Sequence, residues 1–201
     1  MKKKFIAMLL TASLAAGWTV PAFAEETETE TASSEALDIT FDETQAPYEG
    51  NWITFEAGFK LYLPSDWDVQ EISEDDANDG VIFWISSPDD KGWNLNVMYV
   101  PAEEGDEDVT LEEVAASLEE DTENYTGIEL GTFNDIDVIA YDSADETASG
   151  ILFLDTEGGA YTINCAPTDD DDFKETAFAM LTSLSVADED TETESESAAD
   201  R

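Results

Sequence analysis

Histidine is absent from this sequence of 201 residues, and cysteine occurs only once, as Cys165. Without an imidazole the chain cannot build a Ser-His-Asp triad, a Cys-His pair or a histidine-ligated zinc site. A single cysteine also excludes an internal disulfide. A thiolate nucleophile needs a basic neighbour that lowers its pKa, and the sequence supplies almost none. We therefore interpret Cys165 as a small buried residue of a strand.

Basic residues are also scarce. Seven Lys and Arg stand against 50 Asp and Glu, which gives a formal net charge of −43 at pH 7. Nucleic acids and anionic lipids bind to basic surfaces, so this composition argues against both as partners. A strongly acidic surface attracts cationic partners or divalent ions, or it serves only to keep the protein soluble. The composition alone leaves these three alternatives open.

Long apolar runs are missing beyond the N-terminus. The opening segment, MKKKFIAMLLTASLAAGWTVPAFAEE, has three lysines, a short apolar stretch and an Ala-Phe-Ala cleavage signal. This pattern predicts a secretory signal peptide over residues 1–24 with cleavage after Ala24. With no cysteine at the cleavage site, we expect no lipid anchor there. After cleavage no segment is apolar enough to span a membrane, so we expect a secreted, extracytoplasmic protein.

The remaining sequence divides into one domain with two acidic flanks. Residues 25–50 and 187–201 are rich in acid, Thr and Ser, and we expect them to be a disordered linker and a disordered tail. The linker includes a possible short strand at 37–41, where Leu37, Ile39 and Phe41 alternate. Residues 51–186 carry the apolar residues that form a core.

The pattern of residues 51–186 predicts an α+β domain. Apolar alternation predicts strands at 51–57, 59–64, 67–73, 93–101, 127–133, 136–144, 149–156 and 160–167. Five consecutive apolar residues predict a central strand covered on both faces at 80–88. Two segments have helical periodicity, residues 111–121 and 170–184. Thr110 and Glu113 have the spacing of a capping box that begins the first helix. The order of the elements predicts helices packed on a mostly antiparallel sheet.

Three stretches resemble a known superfamily. The corner LYLPSDW, the helix TLEEVAASL and the closing FKETAFAMLTSL resemble exported bacterial proteins of the PsbP-like and Mog-like superfamily. The resemblance covers about residues 50–186. It implies an α/β/α sandwich with a central, mostly antiparallel sheet and two main helices. It also implies a binding or accessory role, because the superfamily is dominated by such proteins and not by enzymes.

Aromatic residues provide the candidates for a ligand-binding surface. Trp52, Trp67, Trp84 and Trp93 are the tryptophans that follow the predicted leader. We assign Trp67 and Trp84 to the core, since each occupies a strand or corner that needs a large apolar residue. Trp52 and Trp93 lie near strand starts, and we therefore select them as candidates for a partly exposed, sugar-binding type of surface.

Acidic clusters provide the candidates for a metal site. The stretch EDDANDG at 74–80 fails as an EF-hand loop, because Ala77 falls where an oxygen ligand is required and Ser86 falls where the loop requires a glutamate. Two other acidic stretches are dense enough to hold Ca²⁺, and their residues are Glu103, Glu104, Asp106, Asp169, Asp170, Asp171 and Asp172. The alternative interpretations are a solvated loop and the acidic start of a helix.

Three hypotheses of function follow. The leading one is a non-catalytic extracytoplasmic module that binds an unidentified protein or small ligand and needs no cofactor. One alternative is an acidic protein that binds divalent cations such as Ca²⁺. Another is a carboxylate-dependent hydrolase, in which a pair such as Asp66 and Asp68 works across a cleft. With 50 acids in the chain, close carboxylate pairs are expected by chance.

Overall fold

The structure is a computed structural model, and it describes residues 37–89, 91–102, 109–167 and 171–187. These residues form an α+β fold with a mostly antiparallel eight-stranded sheet, a separate three-stranded sheet and three α-helices. The predicted fold class is therefore confirmed. The helices are α1 (Glu74–Asn78), α2 (Leu111–Glu120) and α3 (Asp171–Thr182). No helix in these ranges is long and apolar enough to cross a membrane.

The strands follow the predicted alternation, with ends that differ by a few residues. They are β1 (Leu37–Ile39), β2 (Gly50–Thr54), β3 (Phe59–Pro64), β4 (Asp68–Val69), β5 (Val81–Ser86), β6 (Asn94–Val100), β7 (Tyr125–Phe133), β8 (Ile136–Ser143), β9 (Ser149–Leu154), β10 (Ala160–Ala166) and β11 (Ser185–Val186). Of the strand predicted at 67–73, only the two residues of β4 are in strand conformation.

The large sheet has the strand order β1-β7-β8-β9-β10-β6-β5-β4, and the small sheet has the order β11-β3-β2. Every pair of neighbours is antiparallel except β1 and β7, which are parallel. Asn134 and Asp135 join β7 to β8 with φ angles of 46° and 69°. Both angles lie in the left-handed region that a tight primed hairpin turn requires, which Asn and Asp tolerate better than most residues.

Two apolar clusters lie on opposite faces of the large sheet. Helix α3 and strand β3 pack on one face, where Leu61, Ile163 and Met180 are completely buried. Helix α2 packs on the other face through Val114, Ala115 and Leu118, which contact side chains of β7, β8 and β9. Because neighbouring strand residues point to opposite faces, consecutive residues such as Val138 and Ile139 belong to different clusters.

Helix α2 begins where the capping box predicts. The Thr110 hydroxyl accepts a hydrogen bond from the Glu113 amide at 3.3 Å, and the Glu113 carboxylate accepts one from the Thr110 amide at 3.4 Å. The two contacts satisfy N–H groups that have no partner inside the helix. The prediction of this helix is confirmed in both position and capping.

Helix α1 was not predicted. It spans five residues of the acidic stretch EDDANDG, and the Ser73 hydroxyl caps it by accepting from the Asp76 amide at 3.1 Å. The helix buries none of its residues, so it leaves no apolar periodicity in the sequence. Its acidic first turn suits the positive end of a helix dipole.

The fold also begins earlier than the predicted domain boundary at residue 51. Strand β1 pairs with β7 from Leu37 to Ile39, and residues 43–45 form a short 3-10 turn before β2. The described part of the expected linker, residues 37–50, therefore belongs to the folded unit. The short strand suggested at 37–41 by alternation is confirmed as β1, at Leu37–Ile39. Acidic composition predicted disorder for the rest of this segment, but Leu37 and Ile39 pack against the main apolar cluster and hold it in place.

Candidate binding surface

Trp52 is part of an aromatic cluster on the outer side of the small sheet. We call Phe41, Tyr48, Trp52 and Tyr62 the Trp52 face. The ring centroids of Trp52 and Tyr62 are 5.4 Å apart, and those of Trp52 and Phe41 are 5.8 Å apart at a right angle. Trp52 itself is 37% exposed, although its ring contacts two other aromatic rings. A large aromatic side chain that remains this accessible within a packed cluster is suited to contact a ligand.

Strand periodicity explains why these rings lie on one surface. Trp52 is directly opposite Tyr62 in the β2–β3 pair, while the alternate residues Leu61 and Leu63 point inwards and are buried. Gly50 leaves the space that the Tyr62 ring occupies, because a Cβ at Gly50 would lie 2.7 Å from that ring. The sequence of the hairpin therefore determines both the buried and the exposed face.

Hydrogen bonds hold the tyrosines of the Trp52 face in fixed positions. The Tyr48 hydroxyl donates to the Tyr62 carbonyl at 2.8 Å, and the Tyr62 hydroxyl accepts from the Gly50 amide at 2.9 Å. Burial raises the pKa of Tyr48 far above its usual value, so this hydroxyl remains a donor at neutral pH. The rings are therefore preorganised, which reduces the entropy cost of binding.

One acid and one base accompany the Trp52 ring. The indole Nε1 donates to the Glu43 carboxylate at 2.9 Å, and the Lys60 ammonium lies 5.0 Å from the ring centroid, a cation–π distance. Asp42 positions Glu43, because its carboxylate accepts from the Thr44 amide at 3.0 Å and caps the 3-10 turn. The hydrogen bonds from Thr44 also lower the pKa of Asp42. The surface thus combines an aromatic platform with a fixed carboxylate.

Trp93 lies in a different cluster and is half-buried. Its ring stacks on Phe173 with a centroid distance of 5.0 Å, and Trp67 stacks on the same phenylalanine at 6.1 Å. The Lys91 ammonium lies 3.8 Å from the Trp93 centroid. Core packing and the Lys91 contact therefore leave less of this ring for a ligand than remains at Trp52. The structure places the two predicted candidates on separate surfaces and does not bring them together.

The predicted metal candidates fall mostly on positions that the structure does not describe. Outside the described residues lie Glu103, Glu104, Asp106, Asp169 and Asp170, together with the side chains of Asp171 and Asp172. Within the described ranges, no group of three or more Asp, Glu or Cys side chains is arranged to hold a metal ion. The Ca²⁺ hypothesis stays a prediction for the remaining positions.

Among the described carboxyl groups, Asp142 has a raised pKa. Burial is the main cause, and repulsion from Glu146 and Glu129 adds to it, while a 2.5 Å hydrogen bond from the Ser149 hydroxyl acts in the opposite direction. Asp142 lies directly opposite Ser149 in the β8–β9 pair. Sequence reasoning missed this residue, since no local pattern reveals that a strand aspartate has a hydrogen-bond partner on the neighbouring strand. Asp66 and Asp68, the pair considered from the sequence, are both exposed.

Cys165 is completely buried in strand β10, as predicted. Burial raises the pKa of its thiol far above the usual value, so the group is protonated at neutral pH. A buried, protonated thiol is neither a nucleophile nor a metal ligand.

A row of polar residues crosses the second face of the large sheet, and sequence reasoning missed it as well. Trp84, Asn96, Asn164, Gly150 and Tyr141 are successive cross-strand neighbours on five strands. The Tyr141 hydroxyl donates to the Asn164 carbonyl oxygen at 2.6 Å, and the Asn164 amide donates to the Asn96 carbonyl oxygen at 3.2 Å. The Trp84 indole N–H is buried without a partner within the described ranges.

This row is a structural network more than a binding site. Its half-buried amides favour one register of the strands, because a slip by one residue would place them against apolar side chains. A Cβ at Gly150 would lie 2.7 Å from both the Tyr141 ring and the Asn164 oxygen, so glycine leaves room for their hydrogen bond. The signal for this row in the sequence is that Asn96 and Asn164 stand between apolar residues of β6 and β10.

Neither a protein-family model nor a curated protein sequence matches this chain. The choice among candidate surfaces therefore depends on their chemistry, and the Trp52 face is the one that combines exposure, aromatic surface and fixed polar groups.

Proposed function

We propose that this protein is an exported, non-catalytic binding module of the PsbP-like and Mog-like type, and that it binds its partner through the Trp52 face. The observation that carries the proposal is the 37% exposure of Trp52 within a cluster whose other rings are held by packing and hydrogen bonds. Such a surface offers a large contact area that is already ordered before binding.

Three features of the chain support a role outside the cytoplasm and without catalysis. The leader-like N-terminus favours export, and the absence of histidine removes the commonest acid–base group. Asp142, the described acid with a raised pKa, accepts a hydrogen bond from Ser149 on the paired strand. This structural contact explains the position of Asp142, and no catalytic role is needed to explain it.

The proposal is tested in two steps. First, the full chain is expressed with its own N-terminus in a bacterium, and the mass of the exported protein is measured; we expect cleavage after Ala24. Second, the isotope-labelled protein is titrated with neutral oligosaccharides and with short peptides, and the indole N–H signals are followed. We expect the Trp52 signal to move and the Trp93 signal to stay.

Matched variants distinguish binding at the Trp52 face from a signal change that has another cause. The response compared among variants is the ligand-induced shift of the backbone amide signals of β2 and β3; Trp52→Ala should abolish it, whereas Trp93→Ala should preserve it. Hydrolysis of an ester, glycoside, peptide or phosphate substrate that is lost in Asp142→Asn would overturn the proposal in favour of an enzyme. A binding response that survives unchanged in Trp52→Ala would place the surface elsewhere.

A further inference from the structure

Strand β2 is the longest of the four strands that end the two described sheets. The strands at the ends of the two sheets are β1, β4, β11 and β2. β1 has three residues, β4 and β11 have two each, and β2 has five. Proteins usually keep edge strands short because an exposed edge is a template for another strand. β2 departs from that rule.

The register shows which backbone groups of β2 face the open edge. In an antiparallel pair, residues alternate between positions that bond to the partner strand and positions that point away from it. The Phe55 amide bonds to the Phe59 carbonyl at 2.8 Å, and the Tyr62 amide points the other way, to the Ser183 hydroxyl at 2.9 Å. Trp52 and Thr54 therefore direct their N–H and C=O groups outwards, and within the described ranges no hydrogen bond uses them.

The sequence of β2 contains none of the usual protections of an edge. The strand reads Gly-Asn-Trp-Ile-Thr and has no proline, no lysine and no other charge. Pairing with β3 is regular along all five residues, without a bulge. The Gly50 amide is already bonded to the Tyr62 hydroxyl, so the open part of the edge runs from Trp52 to Thr54. This regular part of the edge can accept an additional strand through backbone hydrogen bonds.

The charges around this edge indicate what kind of strand fits. The exposed acids Glu49 and Glu56 flank β2 in the chain, and Glu43 is bonded to the Trp52 indole. The chain as a whole has a net charge of −43, so an acidic strand, including a second copy of this protein, would be repelled. A strand that carries arginine or lysine would be attracted.

Trp52 provides a contact for such a cation. A residue directly opposite Trp52 on an added strand would project on the same outer face, next to the indole ring and close to Glu43. An arginine there can stack on the ring and bond to the carboxylate. Lys60 already demonstrates that the ring accepts a cation, and it reaches Trp52 from β3, on the side away from the edge.

We propose that the free edge of β2 binds an extended, arginine- or lysine-bearing segment of a partner protein, which adds to the small sheet as a strand beside Trp52. This inference rests on the proposed function, because it names the partner class of the Trp52 face. The edge-facing N–H and C=O groups of Trp52 and Thr54 bind the backbone of the added strand. The Trp52 indole and the Glu43 carboxylate select an arginine or lysine side chain on that strand.

The experiment measures the affinity of the full chain for a short peptide that alternates arginine with threonine. We expect Thr54→Pro, which removes an edge-facing N–H, to weaken binding about tenfold or more, the usual loss when one hydrogen-bond partner is removed. Thr54→Val is the matched control and should bind like the parent chain. We expect Trp52→Ala to weaken binding as well, and the amides of Trp52 and Thr54 to become protected from hydrogen exchange on binding.

Two altered peptides keep the test independent of the protein variants. We expect both altered peptides to bind at least about tenfold more weakly. One has N-methyl groups on the amides that face β2, and the other has glutamate in place of arginine. Equal binding of either peptide would overturn the inference, as would equal binding to Thr54→Pro and Thr54→Val.

Other outcomes separate this inference from the proposed function. If neutral oligosaccharides move the Trp52 indole signal and the arginine peptide does not, the surface binds sugars: the inference falls and the proposed function stands. A dimer that forms with rising concentration and is lost in Thr54→Pro would assign the edge to a second copy, which overturns the inference. If neither peptides nor sugars affect Trp52, both proposals fail.

Discussion

Asn134 joins three parts of the fold, and its replacement by alanine should be strongly destabilising. Its side-chain oxygen accepts from the Phe41 amide at 2.7 Å. Its side-chain nitrogen donates to the carbonyls of Thr182 and Leu184 at 2.8 and 2.7 Å. One side chain thus connects the end of β1, the β7–β8 turn and the C-terminal end of α3. Asn134→Ala removes all three contacts without changing the apolar core.

The expected loss follows from these contacts and from the backbone. Each hydrogen bond contributes about 1 kcal/mol, so the three together contribute about 3 kcal/mol. Alanine at a φ of 46° adds about 1 kcal/mol of strain that asparagine largely avoids. We therefore expect Asn134→Ala to lower the free energy of unfolding by about 4 kcal/mol. For a domain of this size that corresponds to a melting temperature about 12 °C lower.

Urea and thermal unfolding, followed by circular dichroism, measure this loss. Asn134→Gly keeps the left-handed turn but loses the same three hydrogen bonds, so it should be destabilised by about 3 kcal/mol. Asp135→Asn, at the exposed neighbouring position, is the control and should change stability by less than about 0.5 kcal/mol. If Asn134→Ala lost less than about 1 kcal/mol, the three contacts would not connect these segments as described.

Three further predictions concern other parts of the sheet. The pKa of Asp142 is higher in the folded protein than its ordinary value of 3.8, so the folded state holds this proton more tightly and its contribution to stability falls as the pH rises through that raised pKa. Asp142→Asn should therefore raise the melting temperature at neutral pH and leave it unchanged below pH 3.8, as a pH series of melts would reveal. Cys165 should resist alkylation until the protein unfolds, because it is buried and protonated; mass spectrometry in increasing urea checks this, and rapid labelling of the native protein would contradict it. Gly150→Ala should cost about 1–3 kcal/mol, since its methyl group would displace the Tyr141–Asn164 hydrogen bond; urea unfolding measures the cost, and wild-type stability would mean that the row adapts freely.

Much of the fold could be predicted from local sequence, because local forces determine it. The alternation of Phe59, Leu61 and Leu63 reflects a strand with one buried face. The pair Thr110 and Glu113 caps a helix whatever lies around it. Asn134 and Asp135 favour the tight turn that joins β7 to β8. Each of these signals depends on residues that are close together in the chain, so the sequence contains them in full.

The candidate surface depended on contacts between distant residues. Trp52 and Trp93 are equivalent in the sequence, since both stand near the start of a strand. The ring of Trp93 is in contact with Phe173 and Lys91. The ring of Trp52 contacts Phe41 and Tyr62 and remains accessible.

The same contrast holds for the pairing of distant strands and for a helix without a buried face. The parallel pairing of β1 with β7 brings together residues more than ninety positions apart, such as Leu37 and Gly131, and the one-turn helix α1 has no buried face to mark it. The sequence by itself determined the α+β class, the strand faces, the capped helix and the charge of the surface, because each follows from neighbouring residues or from composition. Only the tertiary structure decided which tryptophan remains accessible, which carboxyl group is half-buried and which strand edge stays open, because each of these depends on what a distant part of the chain covers.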